Sequence, residues 1–152
     1  EEFVKDEKLL VLLGDNIFGH DLTHAVKDFE KREKGAKIFG IEMPTETGQY
    51  GVIEVDNQGK VLSIEEKPQH PKTNIAQTGI YMYDNRVFDF IHKLSPSERG
   101  ELEVTDLNNF YVKEGTMECE MIDWWIDAGT SYDELLRANQ MVAEKVKEHA
   151  LS

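Results

Sequence analysis

The chain has 152 residues, of which 39% are hydrophobic and 31% charged, and its formal net charge is −13. This length and composition indicate a single globular domain, residues 1–152, with a sizeable core. The negative charge argues against nonspecific nucleic-acid binding, which requires a basic surface. No apolar run is as long as a membrane span, and the single cysteine, Cys119, cannot form an internal disulfide. We therefore expect no membrane association and a cytoplasmic location.

The first predicted element is a strand from Leu9 to Leu13, five apolar residues followed by Gly14. Such a run is typical of a strand buried on both faces of a parallel sheet. Asp15 and Asn16 then stand at its carboxyl end, the edge where open α/β sheets bind ligands. A carboxylate there suits a metal ion that also holds a phosphate. The alternative is that these two residues only cap the next turn.

The pattern next predicts an amphipathic helix from Asp21 to Phe29 and a strand from Ala36 to Glu42. This strand–helix–strand unit indicates parallel pairing of its two strands. The clearest hairpin joins residues 50–56 to residues 60–67 through the turn Asn57-Gln58-Gly59. The remaining predicted elements are a strand at 76–83 containing Gly79, a helix begun by Asp84, a helix at 106–113, and a strand at 117–121. A last helix begins with a capping box at 131–134, and its predicted inward face consists of Leu135, Ala138, Val142 and Val146.

Two carboxylates each end a predicted strand and precede a helix, namely Asp15 and Asp127. If one sheet brings them together, they can share one Mg²⁺, which is usually held by one or two carboxylates plus substrate phosphates. For Asp127, a role as a turn residue before Gly129 is an equal alternative.

A second candidate pair is Glu66 and Lys67, at a strand end fixed by Pro68. One side chain can bond sugar hydroxyls while the other neutralises a phosphate, or both are simply solvated charges. Adjacent strand residues point to opposite faces, so the two share a site only if the strand twists or bulges there. Gly51 either admits a ligand close to the backbone or relieves a tight strand entry.

Six motifs occur in order along the chain, and together they closely resemble the bacterial and archaeal glucose-1-phosphate thymidylyltransferases, a branch of the sugar-phosphate nucleotidyltransferases. The resemblance runs from about Leu9 almost to the C-terminus. It implies an α/β fold with a Rossmann-like mixed sheet of the nucleotide-diphospho-sugar transferase type, incomplete at its N-terminus. The motifs are Leu12-Leu13-Gly14-Asp15-Asn16, Tyr50-Gly51-Val52, Ile64-Glu65-Glu66-Lys67-Pro68, the segment Thr78 to Asp84, the segment Arg99 to Asp106, and the segment Trp125 to Thr130.

This resemblance implies a reaction that joins dTTP to glucose 1-phosphate and releases dTDP-glucose and pyrophosphate, with Mg²⁺ as cofactor. It also implies a homo-oligomer. Asp15, Lys67 and Asp127 would be catalytic, and the two aspartates would hold the metal. The residues that would contact substrate are Asn16, Tyr50, Gly51, Glu66, Lys67, Tyr81 and Trp125, with Gly51 and Glu66 on the sugar, Lys67 on its phosphate, Tyr81 in the sugar pocket and Trp125 beside the metal aspartate.

The sequence departs from the family in two ways. The glycine-rich signature that binds the nucleotide is absent, so we expect the C-terminal, sugar-binding part of such an enzyme, inactive by itself. An apolar edge and face uncovered around Leu9 to Leu13 would then favour self-association. Gln77 stands where the family often has an apolar residue beside the sugar, so the resemblance does not determine which sugar is bound.

Two alternative functions remain at this point. One is a non-catalytic module that binds a sugar phosphate or serves in assembly. The other is a metal-dependent glycosyltransferase, although Asp15-Asn16-Ile17 does not supply the Asp-x-Asp motif usual in that class.

Overall fold

A computed structural model describes residues 1–44, 47–97 and 100–150, with residues 148–150 described by their backbone alone. Arg99 of the fifth motif lies outside the described residues. The strands are β1 (Leu9–Leu12), β2 (Asn16–Phe18), β3 (Ala36–Glu42), β4 (Gly51–Val55), β5 (Val61–Glu66), β6 (Ile75–Tyr83), β7 (Met117–Met121) and β8 (Trp125–Asp127), and the helices are α1 (Thr23–Glu30), α2 (Val87–Ile91), α3 (Val104–Lys113) and α4 (Tyr132–Ala150).

The main sheet is mixed and has the order β5-β4-β6-β3-β7, with β1 also paired to β6. The pair β3 and β7 is parallel, whereas β6 is antiparallel to β1, β3 and β4. The strands β2 and β8 form a separate antiparallel ribbon. This arrangement confirms the predicted α/β class with a mixed sheet.

The predicted pairing of β1 with β3 is wrong. Tyr83 of β6 is the register partner of Leu9 on β1 and also of Ala36 on β3, so β6 lies between the two strands. Both run antiparallel to β6 and therefore parallel to each other, as in a split strand–helix–strand unit. The crossover through α1 leaves room for one strand, which a later part of the chain fills.

The strand β1 is buried on one face only, and the prediction of two buried faces is also wrong. Leu9 and Val11 pack against the core, whereas Leu10 and Leu12 are exposed by 41% and 49%. Leu13, just beyond the strand, is exposed by 42%. The structure thus exposes two leucines on one face of β1, in agreement with the expected uncovered apolar face around this segment.

The sheet is packed on both sides, which gives three layers. On one side α2 and α3 contribute Phe90 and Tyr111 to a core cluster that includes Ile38. On the other side α1 contributes Phe29 to a cluster with Phe39. Consecutive β3 residues thus face opposite layers, as alternation along a strand requires.

The helix α4 begins as predicted, because the Glu134 amide donates to Ser131 Oγ at 3.1 Å. Its predicted inward face is largely wrong. Ala138 is fully buried, but Val142 and Val146 are exposed by 36% and 62%. Nowhere in the described part of the chain is a helix both long and apolar enough to cross a membrane.

Candidate active site

The ribbon of β2 and β8 brings the two predicted metal aspartates together. Asn16 is the register partner of Asp127, and the Ala128 amide donates to the Asp15 carbonyl at 2.8 Å. Asp15 therefore sits beside Asp127 even though they are far apart in sequence. The notion that one sheet joins them holds for this small ribbon, which stands apart from the main sheet.

Asn16 ties this ribbon to the main sheet. Its Oδ1 accepts hydrogen bonds from the Gly79 amide at 2.8 Å and from Trp125 Nε1 at 2.5 Å. Its Nδ2 donates to Asp15 Oδ1 at 2.8 Å. An ideal Cβ on Gly79 would lie 2.5 Å from Asn16 Oδ1, so the Asn16 side chain can take this position only because residue 79 is a glycine. The asparagine is thus a positioning residue for the Asp15 carboxylate.

Glu66 and Lys67 reach the same cavity because the backbone leaves strand geometry between them. The strand β5 ends at Glu66, and Lys67 has a φ of +43°, in the left-handed region. Lys67 donates its amide to the Tyr50 carbonyl at 3.1 Å, and its Nζ lies 4.0 Å from Glu66 Oε1. A non-glycine residue in this conformation costs about 1 kcal/mol, which the surrounding contacts must offset.

Gly51 lies opposite Glu66 in the hairpin, where three side chains meet. Thr105 Oγ1 donates to Glu66 Oε2 at 2.5 Å and fixes one side of that carboxylate. An ideal Cβ on Gly51 would lie 3.3 Å from side-chain atoms of both Gln77 and Thr105. The missing side chain therefore keeps the cavity open above these polar groups.

Two aromatic residues close another wall. The Tyr50 and Trp125 rings pack edge to face, with centroids 5.2 Å apart at 77°. Trp125 lines the cavity and also belongs to a core cluster. Burial, reinforced by the Asp127 charge, raises the pKa of Tyr50. Burial also raises the pKa of Tyr81 to about 12, so this phenol keeps its proton at neutral pH.

The cavity formed by these elements has a volume of about 460 Å³, within the range of small-molecule sites. All nine predicted site residues line it, which confirms that they converge. Their roles remain predictions. The lining also includes residues for which sequence reasoning gave no role, among them Thr78, Glu103, Val104 and Thr105. The only indication in the sequence was their position, since each of these residues lies within one of the six motifs.

The charges that face the cavity are unevenly distributed. Asp15, Asp127, Glu66 and Glu103 supply carboxylates, and Lys67 supplies an ammonium group. Within residues 1–44, 47–97 and 100–150, no group of three or more His, Cys, Asp or Glu side chains could hold a metal ion by itself. A cation here would need further oxygens from a ligand, in keeping with the usual coordination of Mg²⁺ by few carboxylates.

Comparison with known sequences finds relatives that carry the same name. A glucose-1-phosphate thymidylyltransferase of Neisseria gonorrhoeae is 41% identical over 134 residues, which cover 86% of this chain and 46% of that protein. The enzyme of the same name from Xanthomonas campestris pv. campestris (strain B100) is 44% identical over 133 residues, with coverages of 85% and 45%. The chain thus spans about half the length of the curated relatives it matches.

Solved structures show the same fold. A candidate glucose-1-phosphate thymidylyltransferase from Bacillus anthracis, solved in complex with sucrose, is 43% identical and superposes with a TM-score of 0.83 over 92% of this chain and 56% of that one. A UDP-glucose pyrophosphorylase with UDP-glucose is 20% identical and has a TM-score of 0.81, over 95% of this chain and 59% of that one, which supports the fold alone. The sequence profile of one family, described as nucleotidyl transferase, matches residues 1–145. The chain therefore belongs to the nucleotidyl transferase family.

Proposed function

We propose that this chain supplies the sugar-phosphate site of an enzyme that joins dTTP to glucose 1-phosphate, giving dTDP-glucose and pyrophosphate. The observation that carries the proposal is the convergence of Asp15, Asp127, Glu66 and Lys67 on one cavity. The names of the relatives that are 41% and 44% identical support the choice of thymidylyl transfer.

The sugar would lie against Glu66 and Gly51. Thr105 occupies one lone pair of Glu66 Oε2, and the other lone pairs of the carboxylate are available to accept from sugar hydroxyls. Lys67, with its side chain half exposed, would neutralise the sugar phosphate as it approaches. With the left-handed backbone at Lys67, one end of the hairpin would contact both the sugar and its phosphate.

Mg²⁺ fits the donor set of Asp15 and Asp127. Both are hard oxygen donors at adjacent positions, and an ideal Cβ on Gly129 would lie 2.3 Å from Asp15 Oδ2. A larger residue than glycine would thus displace that oxygen. When bound, Mg²⁺ would offset the negative charge of the phosphates that meet there. Asn16 and the Gly129 amide, which donates to Asp127 Oδ1 at 3.0 Å, orient the two carboxylates.

The chain's own contribution to the reaction is then positioning and charge neutralisation. Phosphoryl-type transfer needs little else from the protein, because the nucleophile is an oxygen of the sugar phosphate itself. Lys67 would hold that phosphate in line, and Trp125 and Tyr50 would exclude water from one side.

The test uses the complete protein that contains this chain, assayed for pyrophosphate release from dTTP and glucose 1-phosphate. Lys67→Met should lower kcat/KM by about 100-fold, the usual effect of removing one group that neutralises transition-state charge. Lys72→Met is the matched control, since Lys72 follows β5 in the same loop as Lys67, is exposed and pairs with Glu54 on β4. Binding of glucose 1-phosphate without turnover of any nucleoside triphosphate would instead support the non-catalytic module.

Self-association through β1 is a further part of the proposal. Leu10 and Leu12, both exposed on β1, form an apolar surface that a second copy of the chain would cover. Sedimentation velocity should show an oligomer that Leu12→Lys dissociates. Leu62→Lys, at a position 50% exposed on β5, should leave it intact. An oligomer unaffected by Leu12→Lys would exclude this surface.

A further inference from the structure

A line of buried polar side chains runs from the core to the wall of the cavity. The Tyr83 hydroxyl donates to Asn108 Oδ1 at 2.7 Å, and Asn108 Nδ2 donates to Gln77 Oε1 at 3.0 Å. Tyr83 and Gln77 are exposed by only 3% and 8%, and Asn108 not at all. Because Asn108 occupies the carbonyl oxygen of Gln77, the amide nitrogen of Gln77 is left to face the cavity.

The geometry around Gly51 keeps this nitrogen accessible. An ideal Cβ on Gly51 would lie 3.3 Å from Gln77 Nε2, so any side chain there would cover it. Gln77 also forms a side-chain hydrogen bond with Tyr81, which lines the same cavity.

The order of donation is Tyr83 to Asn108 and Asn108 to Gln77. The amide nitrogen of Gln77 is then the donor at the cavity end. Gln77 lines the cavity, whereas Asn108 and Tyr83 do not. The wall at this point therefore offers a donor with a fixed direction.

We propose that Gln77 selects a sugar 1-phosphate that offers a hydroxyl oxygen as acceptor at this wall, and that Asn108 and Tyr83 set the direction of donation. This inference rests on the proposed function and adds to it which substituents the sugar must carry. A site built to bond a hydroxyl rejects an analogue without it, because the buried donors then lose their partner. Gln77 is the specificity residue, and Asn108 and Tyr83 are positioning residues.

The first experiment compares glucose 1-phosphate with its monodeoxy analogues in the complete protein that contains this chain. Removing the hydroxyl that faces Gln77 should lower kcat/KM by about tenfold or more, the size of one hydrogen bond. Gln77→Leu should abolish this preference, with the kcat/KM of the matching deoxy analogue retained. An unchanged preference in Gln77→Leu would overturn the inference.

The second experiment tests the direction of donation. In Asn108→Asp the new carboxylate can only accept, so Gln77 must turn its nitrogen inward and present its oxygen to the cavity. The amino-sugar analogue at the selected position, which donates, should then gain about tenfold in kcat/KM relative to glucose 1-phosphate. A fall in activity with an unchanged amino-to-hydroxyl ratio would overturn the positioning role of Asn108.

A matched pair of tyrosine substitutions controls for a general loss of stability. Tyr83→Phe should weaken the deoxy discrimination, because Asn108 loses the donor that fixes it. Tyr111→Phe removes a comparable buried hydroxyl, which donates to Asp84 Oδ1 at 3.0 Å, from a ring 5.8 Å from Tyr83. It should lower the melting temperature similarly and leave the discrimination unchanged. Equal effects of both substitutions on the discrimination would overturn the inference.

The two levels of the proposal fail in different ways. If the unsubstituted protein turns over no sugar 1-phosphate at all, the proposed function is wrong and the selection of sugars with it. If it turns over glucose 1-phosphate and Gln77→Leu leaves every deoxy ratio unchanged, the proposed function stands and only the role of Gln77 is wrong.

Discussion

Asn16 lies directly opposite Asp127, and its side chain bonds the backbone of Gly79 on the neighbouring sheet. The same amide oxygen accepts from the indole of Trp125, two residues before Asp127. One asparagine therefore fixes the ribbon that bears both aspartates relative to β6. The spacing of the two carboxylates depends on this connection, which makes it a natural place to begin testing the site.

A methyl group at Gly79 should break the connection. An ideal Cβ there meets Asn16 Oδ1 at 2.5 Å, a distance that real Cβ atoms do not show. We expect Gly79→Ala to lower the free energy of unfolding by about 1–3 kcal/mol, as overpacking of a core does. Urea denaturation measures the change. Gly14→Ala is the control, because nothing lies within 4 Å of its Cβ position, and an equal loss in both variants would contradict the prediction.

Asp127→Asn keeps the size of the side chain and removes its charge. If the two aspartates hold Mg²⁺, this substitution should lower turnover at saturating Mg²⁺ and raise the Mg²⁺ concentration needed for half activity, each by about 10–100-fold. Titrations of pyrophosphate release with MgCl₂ give both values. Asp123→Asn, at an exposed residue outside the cavity lining, should change neither value. An unaltered Mg²⁺ dependence in Asp127→Asn would remove this residue from the proposed metal site.

The left-handed backbone of Lys67 predicts an unusual order of stability. Because its φ is +43°, glycine is better suited to this position than alanine. Lys67→Gly should exceed Lys67→Ala in free energy of unfolding by about 1 kcal/mol, although glycine usually destabilises. Both should lose affinity for glucose 1-phosphate equally, as measured by calorimetry. Finding the alanine variant more stable would mean that the backbone relaxes once the lysine is gone.

The stability of the protein in acid should depend on Glu120. Burial raises the pKa of Glu120, but bonds from Lys37 at 2.6 Å and His20 at 3.0 Å outweigh it, so the net pKa lies below the ordinary 4.5. A carboxyl with a lowered pKa stabilises the fold fully above its unfolded pKa and stops doing so as the pH falls through the folded value.

We therefore expect the difference in free energy of unfolding between the wild type and Glu120→Gln to be largest near neutral pH and to vanish in acid. Urea denaturation across the acidic range measures it. Glu144→Gln, at an exposed position on α4, should show no comparable dependence. A difference that stays constant as the pH falls would argue that packing, and not the charge of Glu120, is responsible.

The individual helices and strands could be predicted from the sequence, but the neighbours of each strand in the sheet could not. The bounds of β3 and β7 were predicted to the residue, because alternation and turn residues are local signals. The predicted partner of β1 was wrong because strand order depends on which segment lies between β1 and β3. That segment is β6, which comes far later in the chain. The short strand β2 was missed, since three residues carry no periodicity.

The site divides in a similar way. Residue type and position at strand ends identified Asp15, Asp127, Glu66 and Lys67, and resemblance supplied their expected roles. The pattern did not predict that Lys67 adopts a positive φ, since lysine has no preference for that conformation. Nor did it assign Asn108 a role, because a polar residue inside a helix has no meaning until its partners on β6 are known.

The central position of β6 in the sheet has a consequence for folding during synthesis of the chain. Three strands, β1, β3 and β4, pair with β6, and all three are synthesised before Ile75 to Tyr83. Contacts of such long sequence separation form slowly, and until then the early strands expose their edges. Synthesis rate and chaperone access over this interval, more than the final stability, should decide how much of the nascent chain escapes aggregation.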